Sequence, residues 1–273
     1  MEKIETKQLR QVQATLLLPL AARVIESRKV NGIIKDTQSI EIAEKLQVNI
    51  NQIGRKISPL GVSLLATRAY KFDQKIRSFL AIHPHGKILT LGAGLDTSFF
   101  RCDNGLARWY DLDLADSMTL RKSLLSLPED RVTTIAKSLF DISWIEDIGS
   151  VKDGLLIQIP GVLPYFKEEE VKNFLKVIAP RLKGAEVIFD VISKFGIVFV
   201  NSLIHAAGMK DANILWGIVD TSEIARWSPH IQVDAEPFFH QVDEILLGDL
   251  TTRIFTRISD FLRSGQIVSL NFI

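Results

Sequence analysis

KILTLGAGLDTSFFR, Lys87 to Arg101, is the stretch on which the fold turns. Ile88, Leu89, Thr90 and Leu91 favour a buried strand, and they run directly into Gly92-Ala93-Gly94. A strand that ends in a glycine turn leaves backbone N–H groups unscreened by side chains, so a polar ligand can come close. Nineteen residues beyond Gly94 stands Asp113, near the end of a second apolar run, Trp109 to Leu114. This pairing reads as the first two strands of a nucleotide-type fold, with Asp113 placed to accept hydrogen bonds from ribose hydroxyls.

The chain on either side supports that reading. Residues 5–29 carry Leu9, Val12, Leu16, Leu20 and Val24 at helical spacing, and Pro19 predicts a kink or break among them. A short amphipathic piece covers Ile40 to Leu46, and Asn49, Asn51 and Gly54 predict a loop before Pro59. Val62, Leu65, Ala69, Phe72, Ile76 and Phe79 then mark a long helix. Arg68 lies beside that stripe. Its stem could cover apolar surface with the head in water, or its guanidinium could hold a carboxylate in a pocket. A helix is expected over Ser117–Leu125, and a third strand over Val132–Leu139, closed by Asp141, which suits an adenine amine or an ordinary turn cap. Leu155–Ile159 and Val187–Ile192 read as further strands, with a helix over Glu168–Leu182 between them. This alternation predicts an open parallel sheet. Residues 193–230 break the rhythm with Gly196, Gly208, Gly217, Pro229 and two tryptophans, as an insertion over the strand ends would. Ile231–Phe238 and Ile267–Ile273 are the last expected strands, with a helix near Leu247–Leu262.

Composition narrows the classes of function. The chain has 273 residues, 47% hydrophobic, with a formal net charge of +1 and no long basic block, so nothing points to nucleic acid or an anionic membrane. Cys102 is the single cysteine, which rules out an intrachain disulfide and fits a reducing compartment. No Cys or His spacing suits a metal. The N-terminus is of mixed charge and no apolar run reaches the ~18 residues of a span, so a cytoplasmic protein is expected.

Several stretches together resemble the leucine carboxyl methyltransferase family, which includes bacterial O-methyltransferases of the tetracenomycin type. They are Leu16 to Arg23 (LLLPLAAR), Arg68 with Asp73, Leu91 to Thr97 (LGAGLDT), Trp109 to Leu114 (WYDLDL), Lys137 to Asp141 (KSLFD) and Gly161 to Tyr165 (GVLPY). The resemblance implies a class I S-adenosylmethionine-dependent methyltransferase fold, a seven-stranded Rossmann-like α/β sheet with its last strand antiparallel. It also implies one domain: an N-terminal helical cap (1–82), a cofactor-binding core (83–192), a helical lid insertion (193–230), and final strands and helix (231–273). Carried over residue by residue, Arg68 would pair with the cofactor's carboxylate, Gly92 and Gly94 would let the backbone approach it, Asp113 would hold the ribose, and Asp141 with the Ile142 amide would read the adenine. The chain departs from the family at Ser98, where arginine is common, and at Pro160, where a glutamate near the cofactor is usual; proline supplies neither carboxylate nor N–H.

The reaction expected is O-methylation of a carboxylate or hydroxyl on a small, polyketide-like molecule. A hydroxyl acceptor benefits from a base, and His205, His240 and Tyr165 are the candidates near the insertion. The alternative is a relative that keeps the fold and binds without turnover. A nicotinamide enzyme is disfavoured because Thr97 stands where a third glycine would be needed.

Overall fold

The computed structural model describes residues 13–194, 196–206, 212–242 and 250–273. Its centre is a seven-stranded sheet of order β3-β2-β1-β4-β5-β7-β6. The strands are β1 (Lys87–Leu91), β2 (Arg108–Asp113), β3 (Val132–Ala136), β4 (Leu155–Ile159), β5 (Glu186–Ile192), β6 (Ile231–Pro237) and β7 (Gly265–Phe272). The first five pair in parallel, and β7 lies antiparallel between β5 and β6. The seven-stranded arrangement with an antiparallel last strand is as the resemblance implied.

Alternation along the strands sorts side chains between two cores. Leu89 and Leu91, Leu155 and Ile157, and Val187 and Phe189 face a cluster completed by helices α6 (Trp144–Ile148) and α7 (Glu168–Ile178). Ile88, Leu156 and Ile188 face the opposite way, onto α3 (Ile50–Ile82) and α4 (Ser98–Cys102). Buried Cys102 belongs to this second core. Around Leu95, just past the turn after β1, α1 (Gln13–Arg28), α2 (Thr37–Lys45) and α5 (Ala115–Leu124) share a third core built on Leu20, Ile42 and Leu120.

The structure corrects some expected boundaries. Helix α1 runs through Pro19 without a break. Proline in a helix interior costs about 3 kcal/mol, whereas burying Leu20 and Val24 completely returns about 1.5–3 kcal/mol each. Residues 5–12 of the expected helix lie outside the described residues. The expected loop before Pro59 is helical: Asn49 caps α3 by accepting from the Gln52 amide at 3.0 Å, and Ile50 and Ile57 are buried. The interruption falls instead at Ser58 (φ 64°, ψ 160°), because a residue before proline is pushed out of the helical region. Strand β3 stops at Ala136, not Leu139, since its partner β2 ends at Asp113, opposite Ala136. Helix α7 ends at Ile178 and not Leu182.

The 193–230 segment has no strand among its described residues. It holds α8 (Gly196–Ala206) and a 3-10 helix over Thr221–Trp227, whose Trp227 packs near Trp216 in the first core. Gly208 lies outside the described residues, as do residues 247–249 ahead of α9 (Leu250–Phe261). Among the described residues no helix is long and apolar enough to cross a membrane, and no cluster of His, Cys, Asp or Glu suits a metal ion.

Candidate active site

The glycine turn after β1 sits at the C-terminal end of the parallel strands, where open α/β sheets bind ligands. Gly92 (φ 74°) and Gly94 (φ 41°) take left-handed backbone conformations that other residues rarely adopt. Their open sides serve close packing: a Cβ on Gly92 would collide with Val162, and one on Gly94 with Leu16. The N–H groups that the sequence leaves open are engaged within the protein. Gly92 and Ala93 donate to the Leu112 carbonyl at 2.8 and 3.0 Å, and Gly94 donates to Asp113 Oδ2 at 2.8 Å. Asp113 Oδ1 accepts the Leu114 amide at 2.7 Å. The Asp113 carboxylate is thus aimed by two amides and half-buried at the end of β2, with lone pairs to spare.

Two adjoining cavities open above the strand ends. The larger, about 210 Å³, is walled mainly by apolar side chains, among them Leu18 of α1, Leu64 of α3, Phe199 and Ile204 of α8, and Ile214. The smaller, about 70 Å³, reaches between α1 and the glycine turn, where Arg23, Asp96, Ser98 and Arg101 border it. Arg68, Gly92 and Pro160 line both. Arg68 therefore points into the site, not merely along the helix flank. Its Nη1 donates to Asp190 Oδ2 at 3.3 Å, with Arg68 15% and Asp190 4% exposed, and the guanidinium lies over Gly161 (φ 69°), where a side chain would displace it.

Beneath the smaller cavity lies a buried ionic network. Asp36 Oδ2 accepts from Arg23 Nε (3.0 Å), Arg101 Nη1 (2.8 Å), Ser39 Oγ (2.6 Å) and Thr97 Oγ1 (2.5 Å). Arg101 also grips Asp73 with two bonds, of 2.7 and 2.8 Å. Burial pushes the carboxyls of Asp36 and Asp96 up, but Arg23 and Arg101 pull harder and hold both below the usual carboxylate range. Arg121 ties the far side, bonding Asp111 at 2.7 and 3.0 Å and the carbonyls of Gly94 and Asp96 at 3.1 and 2.6 Å. Helices α1, α2 and α3 are so fastened to the glycine turn by charges. None of Asp36, Arg121 or Asp190 stands out in the sequence, although an acid inside the apolar run of β5, EVIFDVI, signals a buried carboxylate that needs a partner.

The remaining expected residues separate. Asp141 is exposed on the turn after β3 and takes the Ser143 amide at 3.2 Å; the Ser143 hydroxyl and amide hold its carboxyl below the ordinary range. It is a turn cap in this structure, with Ile142 half-buried beside it. Tyr165 lines the larger cavity, and burial pushes its hydroxyl up against the opposing pull of Arg68. His205 is exposed and bonded to Asn213 Oδ1 at 2.9 Å. His240 is exposed too, and its carbonyl accepts from Lys71. Neither histidine lines either cavity.

The strand order, the glycine turn after β1 and the acid ending β2 define a class I methyltransferase fold. The site fits S-adenosylmethionine: a guanidinium and a glycine backbone border the junction of the cavities, and an amide-braced carboxylate ends the next strand. The sequence profile of leucine carboxyl methyltransferase matches residues 16–179, and the chain belongs to that family. It is 28% identical over 90% of its length, and 88% of the relative's, to the tetracenomycin polyketide synthesis O-methyltransferase TcmP of Streptomyces glaucescens. It is 26% identical to the S-adenosyl-L-methionine-dependent methyltransferase dpfgK of Gibberella zeae, over 93% of this chain and 91% of the other. A solved structure of a methyltransferase candidate from Thermobifida fusca YX shares the fold, with TM-score 0.56, 17% identity, and coverage of 92% of this chain and 94% of that one. The chain is an S-adenosylmethionine-dependent methyltransferase.

Proposed function

We propose that this enzyme methylates an oxygen, a hydroxyl or carboxylate, of a small and largely apolar molecule of polyketide-like character, and that it works in the cytoplasm. The observation that carries the reading is the apolar cavity of about 210 Å³ sharing the wall of Arg68, Gly92 and Pro160 with the smaller, charged one. The similarity to TcmP supports the acceptor class. In this reading the helices of residues 1–82 and the 193–230 insertion enclose the acceptor over the cofactor-binding core.

S-adenosylmethionine would supply an electrophilic methyl group on a sulfonium, to which the acceptor oxygen would bond as the carbon–sulfur bond breaks and S-adenosylhomocysteine leaves. The residues proposed to hold it are Arg68 for its carboxylate, Asp113 for the ribose hydroxyls, Asp141 and the Ile142 amide for the adenine, and Gly92, Gly94 and Pro160 along its flank. The protein's contribution is alignment and exclusion of water. Leu18, Leu64, Phe199 and Ile204 keep the acceptor side dry. Tyr165 lines this side with its hydroxyl pushed up by burial, which favours it as a hydrogen-bond donor to the acceptor over a base.

Pro160 favours a second reading, a ligand-binding relative without turnover, because the cavity wall carries no carboxylate at that position. Turnover separates the two. Incubation with S-adenosylmethionine and a panel of hydroxylated aromatic polyketides and carboxylic acids is expected to release S-adenosylhomocysteine and yield a product heavier by one CH2. Cofactor binding with no methylated product across both halves of the panel would favour the second reading.

A further inference from the structure

We propose that Asp190 is the partner of the cofactor's α-ammonium group, so that the Arg68–Asp190 pair forms a receptor for a zwitterionic amino-acid head. The inference rests on the S-adenosylmethionine reading and adds a residue to it.

Ile159 of β4 pairs with Phe189 of β5, so the next residues along, Pro160 and Asp190, stand side by side at the strand ends. Pro160 lines both cavities but offers no acidic group. Its neighbour on β5 does, and that carboxylate borders the larger cavity with 4% of its side chain exposed. A charge so deep in an apolar strand is costly unless it is paired. Asp190 has the Arg68 guanidinium on Oδ2 and the Gly161 amide on Oδ1. A carboxylate has about four acceptor sites, so roughly two remain. The Arg68 contact is a single bond of 3.3 Å, not the two-pronged grip that Arg101 has on Asp73. Arg68 can turn its other nitrogens to a carboxylate while Asp190 receives the ammonium carried on the same carbon. An ion pair presented at a cavity wall is complementary to a zwitterion, each charge finding its opposite without leaving the other unpaired.

Asp96, which borders the smaller cavity, is the competing carboxylate. It is already committed: Oδ1 accepts the Ser98 amide at 2.9 Å and the Ser98 hydroxyl, and the charges of Arg101, Arg23 and Arg121 act on it together. An ammonium there would meet three guanidinium charges. Among the described residues Asp190 has a single ion-pair partner, Arg68, which the ligand's own carboxylate offsets.

Titration calorimetry with S-adenosylhomocysteine and its des-amino analogue tests the assignment on the wild type, Asp190→Asn and Asp96→Asn. The wild type should prefer the amino compound by about tenfold to a hundredfold, as expected for a charge-assisted hydrogen bond. Asp190→Asn should bring the two ligands to within about threefold, and Asp96→Asn should leave the preference intact. Reading the ratio removes any general weakening from a disturbed Arg68, which would lower both affinities alike. A preference that survives in Asp190→Asn, or vanishes in Asp96→Asn, overturns the proposal. Absence of S-adenosylhomocysteine binding to the wild type overturns the cofactor reading itself. A crystal structure of the wild-type complex decides the question without a variant. The amino nitrogen is expected within about 3.2 Å of Asp190, and its placement on Asp96 or on water alone contradicts the assignment.

Discussion

Asp113 ends β2 with one carboxylate oxygen on the Gly94 amide and the other on the Leu114 amide, a geometry that aims its remaining lone pairs outward. Replacing it with alanine removes the acceptor proposed for the ribose. S-adenosylhomocysteine binding should weaken by about 1.5–3 kcal/mol, roughly ten- to 150-fold. Unchanged affinity in calorimetry would dismiss that role. Asp36 makes a different kind of prediction. It is fully buried and bonded to Arg23 and Arg101, so Asp36→Asn leaves two guanidinium groups short of an anion and should cost about 3–5 kcal/mol in denaturant unfolding. The pH dependence has a definite sign. Burial raises the carboxyls of Asp36 and Asp96, the arginines more than reverse it, and both lie below their unfolded values. Their contribution is therefore complete above about pH 5, where the unfolded carboxyls are almost fully ionised, and is lost progressively as pH falls through the lower folded values. Unfolding free energy measured from pH 6 down to pH 2 should drop at the acid end, and the drop should be smaller in Asp36→Asn.

At the scale of elements, the kink in α3 is the feature most open to test. Ser58 has φ 64° and ψ 160°, a region that glycine occupies with ease and other residues at a cost of order 1–3 kcal/mol. Ser58→Gly should relieve that strain and lose about 0.5–1 kcal/mol to the freer unfolded chain, for a net gain of roughly 0–2.5 kcal/mol in thermal unfolding. A clear loss would mean that the Ser58 hydroxyl, which accepts the Gly61 amide at 3.3 Å, matters more than the strain. This kink also marks what the sequence could and could not tell. The parallel strands, the glycine turn and the long helix were legible, because each depends on local periodicity or on glycine punctuation. Helix 50–57 was not, since Asn49, Asn51 and Gly54 look like loop residues until Asn49 is seen capping Gln52. The continuity of α1 through Pro19 was hidden for a related reason: it depends on packing against other helices, which no local pattern displays.

For the molecule as a whole, charge and apolar surface divide the labour. A network of arginines and aspartates drawn from α1, α2, α3, α4 and the glycine turn fastens the N-terminal helices to the sheet, while α1, α3 and α8 enclose an apolar chamber beside it. Arg68, Asp113 and Pro160 were singled out from motif and spacing; Arg68 and Pro160 border the same cavities, and Asp113 lines neither. Asp190 was not, because its partnership with Arg68 joins residues 122 apart in sequence through the third dimension. His205 and His240, singled out for their chemistry and their place near the insertion, line neither cavity. What would make this chain an enzyme is the proposed receptor for an S-adenosyl cofactor. Its most direct test is titration of the folded wild-type protein with S-adenosylhomocysteine. Saturable binding of one ligand per chain, with a dissociation constant below about 1 mM, is the predicted result; no heat of binding at millimolar ligand, with circular dichroism showing the protein folded, would contradict it.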